Sequence, residues 1–140
     1  MSKVFGVDIS SDEIIDTLSF FDSWDDRYKY IIDLGRELPP LPEAERREEN
    51  LVRGCQSQVW LVSEQQGEHL FFQVDSDAFI VKGLLAIVLA AYNGKTPSQI
   101  LAFDIAGYFE ALDLQRNLSP TRGSGLQAMV ARIQQMASAA

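Results

Sequence analysis

Sulfur and imidazole are scarce in this chain. Its 140 residues include one cysteine, Cys55, and one histidine, His69. A lone thiol closes no intramolecular disulfide, which excludes the disulfide-stapled secreted modules. It cannot supply four thiolates to an iron–sulfur cluster, and one Cys with one His does not fill a structural zinc cage. Basic residues are in deficit as well. The 12 Lys and Arg against 20 Asp and Glu leave a net charge of −8 and a pI near 4.5. That is the wrong sign for a general nucleic-acid binder, which gathers Lys and Arg against phosphate. Long apolar runs are also missing: Gly83 to Tyr92 is the longest, at about 10 residues, roughly half of what a bilayer span needs. The first residues, Met1-Ser2-Lys3-Val4-Phe5, show no secretory or transit pattern. These deficits predict a cytoplasmic protein in a reducing compartment, with no metal of its own and neither nucleic acid nor membrane as a partner.

What is present has the balance of an ordinary globular protein, 46% hydrophobic and 23% charged. At this length residues 1–140 are read as one domain with a real core. Ser10 with Glu13, and Ser23 with Asp26, have capping-box spacing. Ile14, Ile15, Leu18 and Phe21 follow the first on one helical face; Trp24, Tyr28, Ile31, Ile32, Gly35 and Leu38 follow the second. Pro39, Pro40 and Pro42 end that second helix, because proline lacks a donor and restricts its predecessor. Glu43 to Asn50 is almost entirely charged and reads as a solvated turn or loop. Val59–Val62 and His69–Val74, with Gln65-Gln66-Gly67-Glu68 between them, predict a β-hairpin, and Leu51-Val52 a short third strand.

Asp75-Ser76-Asp77 offers N-caps for an apolar helix from Phe79 to Tyr92, which stops at Asn93-Gly94. Thr96-Pro97-Ser98-Gln99 opens a further short helix. One or two more lie between Ile105 and Leu118, and the last carries Leu126, Met129, Val130, Ile133 and Met136. The expected fold class is α+β: a small antiparallel sheet of about three strands packed with flanking helices in a single domain.

Cys55 stands in Gly54-Cys55-Gln56-Ser57-Gln58, between a turn-forming glycine and the first convincing strand. Free cysteines are most often small buried hydrophobes. Here the neighbours are polar, with Arg53 two positions back, and a polar strand-entry loop is a poor place to hide an apolar thiol. A working thiol needs thiolate: at a pKa near 8.5 roughly 3% is ionised at pH 7, and a one-unit drop raises that to roughly a quarter. A cation or a helix N-terminus supplies such a drop. Arg53 is the local candidate and Arg122, at the start of the last helix, the distant one, although a surface salt bridge is the commoner role for either. His69 would serve a Cys–His hydrolase, but it lies at the turn end of the hairpin and reads as a solvated strand residue. Asp25-Asp26 and Asp75/Asp77 read as caps rather than as an acid/base dyad. Thr121-Arg122-Gly123-Ser124-Gly125 lacks the Lys-Ser/Thr of a P-loop and follows no strand. Trp60, Phe71 and Phe72 read as core, since a base-stacking platform would sit among basic residues.

Several separated blocks resemble one family, the SufE/CsdE cysteine-desulfuration proteins. They are Trp24-Asp25-Asp26-Arg27-Tyr28, Leu34-Gly35 through Leu38-Pro39, Gly54-Cys55-Gln56-Ser57-Gln58-Val59-Trp60, Asp75-Ser76-Asp77 with Ile80-Val81-Lys82-Gly83-Leu84, and Leu118-Ser119-Pro120-Thr121-Arg122-Gly123-Ser124-Gly125-Leu126. The resemblance spans roughly residues 14–136 and leaves residues 1–13 outside it. Gly-Cys-Gln-Ser-Gln is similar to the usual form of the SufE branch.

The resemblance implies a sulfur acceptor for a PLP-dependent cysteine desulfurase of the SufS/CsdA type. Cys55 would take sulfane sulfur as a persulfide by the chemistry of thiol–disulfide exchange, stimulate the desulfurase, and pass the sulfur to an iron–sulfur scaffold. The chain itself would bind no cofactor, PLP belonging to the partner. Arg122 matches the family's arginine near the cysteine loop, which implies support of a thiolate or persulfide anion. Asp77 matches a position beside that loop, which implies holding Cys55 in a protected orientation. Gly54, Gln56 and Ser57 belong to the same motif, with Gln56 and Ser57 implied as hydrogen-bonding partners of a persulfide. The family fold, shared with the IscU/NifU scaffolds, is α+β. Those scaffolds carry several cluster-ligating cysteines; one cysteine suits a carrier. Two other readings stay open: a non-catalytic acidic interaction module with a packing cysteine, and a thiol redox enzyme that would need an external thiol. The free chain is expected as a monomer or homodimer.

Overall fold

The computed structural model describes residues 4–140. In chain order it contains α1 (Ser11–Leu18), α2 (Trp24–Arg36), β1 (Val59–Gln66), β2 (His69–Ser76), α3 (Phe79–Tyr92), α4 (Pro97–Ala102), α5 (Ile105–Ala111), α6 (Leu114–Asn117) and α7 (Pro120–Ala139). The starts of the helices follow local chemistry. Ser10 and Ser23 accept from the backbone N–H of Glu13 and Asp26, and Thr96 with Gln99 closes a full capping box. Asp25 and Asp26 occupy the first turn of α2, where carboxylates complement the helix dipole.

The core is organised around α3, in which Leu84, Leu85, Ala86, Ile87 and Val88 have no exposed surface. A helix covered on every side needs no amphipathic stripe. Helix α2 reaches it through a pair of glycines. A Cβ on Gly35 would stand 2.6 Å from the Gly83 nitrogen, and one on Gly83 would collide with the Ile31 carbonyl oxygen. Only bare backbone permits this approach. From α7, Leu126, Met129, Val130 and Ile133 complete the same core.

The sheet has two strands, β1 antiparallel to β2, in register from Val59↔Ser76 to Gln66↔His69. Gly67 turns the hairpin at φ 63°. The expected third strand is reduced to a single bridge, Leu51 to Trp60. Its neighbours explain why: Glu48–Asn50 is a 3-10 turn, and Arg53-Gly54 turns away with Gly54 at φ 93°, so only Leu51 and Val52 are left to extend. The expected caps of α3 also differ. Its N-cap is Ala78, with no side-chain cap bond, because Asp75 and Asp77 are engaged elsewhere. Between Ile105 and Leu118 there are two short helices, α5 and α6.

The segment before α1 joins the core as well. Phe5 is buried, and the Asn93 amide, at the end of α3, donates to the Phe5 carbonyl (3.0 Å) while accepting from the Phe72 N–H (2.7 Å).

Candidate functional site around Cys55

Backbone pairing sets the position of Cys55. The Val52 N–H donates to the Val59 carbonyl at 2.8 Å, closing the loop from Arg53 to Gln58 just below its tip. At its downstream end Gln58 is bonded twice to Asp77: its N–H donates to Asp77 Oδ1 (3.1 Å), and the Asp77 N–H donates to the Gln58 carbonyl (3.3 Å). Between these clamps, Gly54 supplies the positive φ that a side chain would resist.

The half-buried thiol turns toward α7, where Cys55 Sγ donates to the Gly125 carbonyl at 3.5 Å. A Cβ at Gly125 would lie 3.6 Å from the sulfur, so the thiol sits where α7 carries no side chain. Helix α7 begins close by, its N-cap Ser119 accepting from the Arg122 N–H at 3.2 Å. A cavity of ≈ 30 Å³ opens beside the sulfur. Cys55, Gln56, Ser57, Thr121, Arg122 and Gly125 line it, with Val81, Leu84 and Met129 forming the apolar wall.

The structure thus brings together Cys55, Gln56, Ser57 and Arg122, with Gly54 making the turn and Asp77 holding the loop from outside. It does not bring in Arg53, whose guanidinium faces Glu48 at 3.7 Å on the surface. His69 stands exposed at the opposite end of the hairpin, paired with Gln66.

The expectation of a lowered thiol pKa is corrected for this state: burial pushes the Cys55 thiol above its ordinary value. Among the described residues no cation counters that burial. Arg53 is turned to Glu48, and Arg122 is exposed to solvent at the cavity's edge. In this arrangement the thiol rests protonated, donating to the Gly125 carbonyl.

Sequence reasoning missed a cluster next to this site. Asp75, read as a cap, is a buried strand residue. It accepts from Arg46 (2.6 Å), the Leu41 N–H (3.2 Å) and the Ser76 N–H (2.8 Å), and faces Lys82 Nζ at 3.5 Å. Burial raises its pKa, but the two backbone N–H groups, Lys82 and Arg46 outweigh that and hold the carboxyl below its ordinary value. Arg46 also lies 5.3 Å over the Trp60 ring. No spacing rule joins an arginine in a charged loop to a carboxylate so far along the chain. Gly125 and Met129 were missed as site residues too, although their spacing places them on one face of α7 with the apolar stripe.

A larger cavity of ≈ 210 Å³ lies between Phe5, Leu38, Phe72 and Leu89. No titratable side chain lines it. Among the described residues no cluster of three His, Cys, Asp or Glu side chains could hold a metal ion.

Comparison with known proteins identifies the relatives of this arrangement. Residues 12–137 match the family model described as SufE, the Fe-S metabolism associated domain. The chain belongs to the SufE family. An uncharacterized SufE-like protein of Rhizobium etli is 50% identical over 132 residues, covering 91% of this chain and 89% of that protein. Another, from Rhizobium meliloti, is 48% identical over 128 residues, covering 89% and 91% respectively. The solution structure of a hypothetical protein from Thermus thermophilus has the same fold, with a TM-score of 0.74 at 18% identity over 91% of this chain and 93% of that one. The loop, the thiol and its seat on α7 are thus features of a SufE-family chain associated with iron–sulfur metabolism. No helix among the described residues is long and apolar enough to cross a membrane.

Proposed function

We propose that this SufE-family chain is a sulfur carrier that takes sulfane sulfur on Cys55 from a PLP-dependent cysteine desulfurase. The observation that carries the reading is the placement of the chain's only thiol: at a loop tip held by hydrogen bonds at both ends, seated on Gly125 beside a cavity of ≈ 30 Å³. A packing cysteine needs neither a tip nor adjoining space.

The step is redox-neutral. Cys55 thiolate attacks the terminal sulfur of the donor's cysteine persulfide. A sulfur–sulfur bond forms on Cys55, the donor's breaks, and the donor leaves as thiolate, which takes up the proton Cys55 released. Clearing the persulfide restores the donor and stimulates its turnover; the sulfur then moves to an iron–sulfur scaffold. PLP stays with the desulfurase, and the transfer requires no cofactor from this chain. Arg122 at the cavity edge supplies positive charge to an anionic sulfur. Phe79, 70% exposed at the start of α3 two residues beyond Asp77, offers the partner an apolar contact beside the loop. The Gly-Cys-Gln-Ser-Gln form supports the SufE branch, and the reading places the chain in the cytoplasm with a desulfurase of the SufS type.

The test is intact mass after incubation with cysteine and a PLP desulfurase without reductant. A gain of one sulfur atom, roughly 32 Da, is expected on the wild type and absent from Cys55→Ser. A Cys55→Ser variant that still stimulates the desulfurase fully would overturn the reading in favour of an interaction module with a packing cysteine.

A further inference from the structure

We infer that Asp75, with Arg46 and Lys82, is the ionic hub that positions Cys55 by tying together the three elements around its loop. This rests on the reading of Cys55 as the sulfur acceptor and adds what sets the thiol's resting pose. Asp75 is 2% exposed, and each of its contacts leads to a different wall of the site. Through Arg46 (2.6 Å) and the Leu41 N–H (3.2 Å) it holds the segment between α2 and the cysteine loop. That segment runs on to Val52, whose N–H closes the loop against Val59. Through the Ser76 N–H (2.8 Å) it fixes the end of β2, one residue before Asp77, the clamp on Gln58. Through Lys82 (3.5 Å) it holds the first turn of α3, whose Val81 lines the thiol cavity. Arg46 stacks over Trp60, which pairs directly with Asp75 across the sheet.

The chemistry of the hub suits positioning better than raw stability. A buried ion cluster contributes little net stability over apolar packing, but it admits few alternative geometries. Lys82 and Arg46 are partly solvated, with side chains 23% and 41% exposed, so either can be altered with less disturbance than Asp75. With the hub intact the loop's two clamps stay in register and the thiol stays on Gly125. With it broken, the open loop gains population.

The experiment measures the rate of Cys55 alkylation by iodoacetamide in the free protein, together with the concentration of each variant that half-saturates stimulation of a PLP desulfurase. Arg46→Met keeps the aliphatic stem and removes the charge; it is expected to raise the alkylation rate roughly tenfold, the scale on which a minor conformer gains population. It is also expected to lower the half-saturating concentration while leaving maximal stimulation unchanged. Arg46→Lys is expected to restore the wild-type values. Ile14→Val, a core truncation on α1, lowers stability without touching the hub and is expected to leave both values alone. Alkylation of Arg46→Met no faster than that of Ile14→Val, or no recovery in Arg46→Lys, overturns the inference. Alkylation is independent of sulfur transfer: faster alkylation with no persulfide on the wild type would retain the hub and remove the acceptor reading.

Discussion

Cys55 Sγ donates its proton to the carbonyl oxygen of Gly125, 70 residues further along the chain. A helix carbonyl on a glycine is an acceptor without a side chain to shield it, and the thiol lies against that bare face, where an added Cβ would stand 3.6 Å from the sulfur. Everything else at the site bears on whether that bond persists. Burial favours the neutral thiol over the anion, the Asp77 clamp holds the loop down, and the exposed Arg122 lines the cavity beside the sulfur. The resting state is a guarded thiol.

The direction of the thiol shift makes a pH prediction. Burial raises the folded pKa above the unfolded value, so the folded chain holds the proton more tightly. The stability this contributes is fully present below the unfolded thiol pKa of about 8.5 and is lost as pH rises through the higher folded value. The melting temperature of the wild type should therefore fall relative to Cys55→Ser as pH climbs above that range. Alkylation of the free protein should likewise have its midpoint above about 8.5. A midpoint below the ordinary thiol value would show a cation acting on the sulfur at rest.

Asp77 is exposed, and its carboxylate accepts one backbone N–H, from Gln58. Asp77→Ala should lower stability by only about 1 kcal/mol, the usual net worth of one hydrogen bond. The same change releases the downstream end of the loop, so alkylation of Cys55 should accelerate well beyond what the stability loss explains. Asp77→Asn keeps an acceptor oxygen and should fall between the two. Equal alkylation rates in all three proteins would mean that the clamp does not hold the thiol.

The α2–α3 contact gives a prediction about the core. Alanine is a better helix former than glycine by about 1 kcal/mol, so propensity alone favours Gly83→Ala. The new methyl would nevertheless collide with the Ile31 carbonyl and lie against the Ile31 side chain. Backbone cannot move aside as a side-chain tip can, and overpacking a close-packed core typically costs about 1–3 kcal/mol, sometimes more. Chemical denaturation should show a net loss of at least ~1 kcal/mol despite the propensity gain. A stabilised variant would mean that the two helices have room to separate.

The parts of the fold legible in the sequence are those governed by short-range physics. Ser10, Ser23 and Thr96 cap because a hydroxyl three residues before an N–H can reach it. Gly67 and Gly94 turn because glycine tolerates positive φ at little cost. Cys55 was legible as a candidate because a thiol among polar residues is out of place, and the family motif named its relatives. What sits opposite the cysteine was not legible. Local spacing carries no information about which carbonyl a distant glycine presents, or that an arginine in a charged loop folds back on Asp75. The same long-range packing reversed the expected sign of the thiol shift: Arg53, adjacent in sequence, faces Glu48, while burial against α7 dominates.

Gly125→Ala separates packing from sulfur acceptance. Its Cβ would stand 3.6 Å from the Cys55 sulfur, 3.8 Å from Cys55 Cα and 3.9 Å from its Cβ, all ordinary van der Waals distances. The resting thiol therefore fits, and replacing a glycine inside α7 should stabilise the fold by up to ~1 kcal/mol. The added methyl does, however, enter the space beside the thiol. That cavity, at ≈ 30 Å³, exceeds the roughly 10–15 Å³ that one water-sized occupant needs, so it admits about one further heavy atom. With a methyl there, a second sulfur must point into solvent. The variant should melt at or above the wild-type temperature, alkylate at a similar rate, and still receive sulfur from a desulfurase. Its persulfide should nevertheless disappear faster when a small thiol reductant is added. An unchanged persulfide lifetime would show that the sulfur is carried outside this cavity, with Gly125 serving the resting thiol alone.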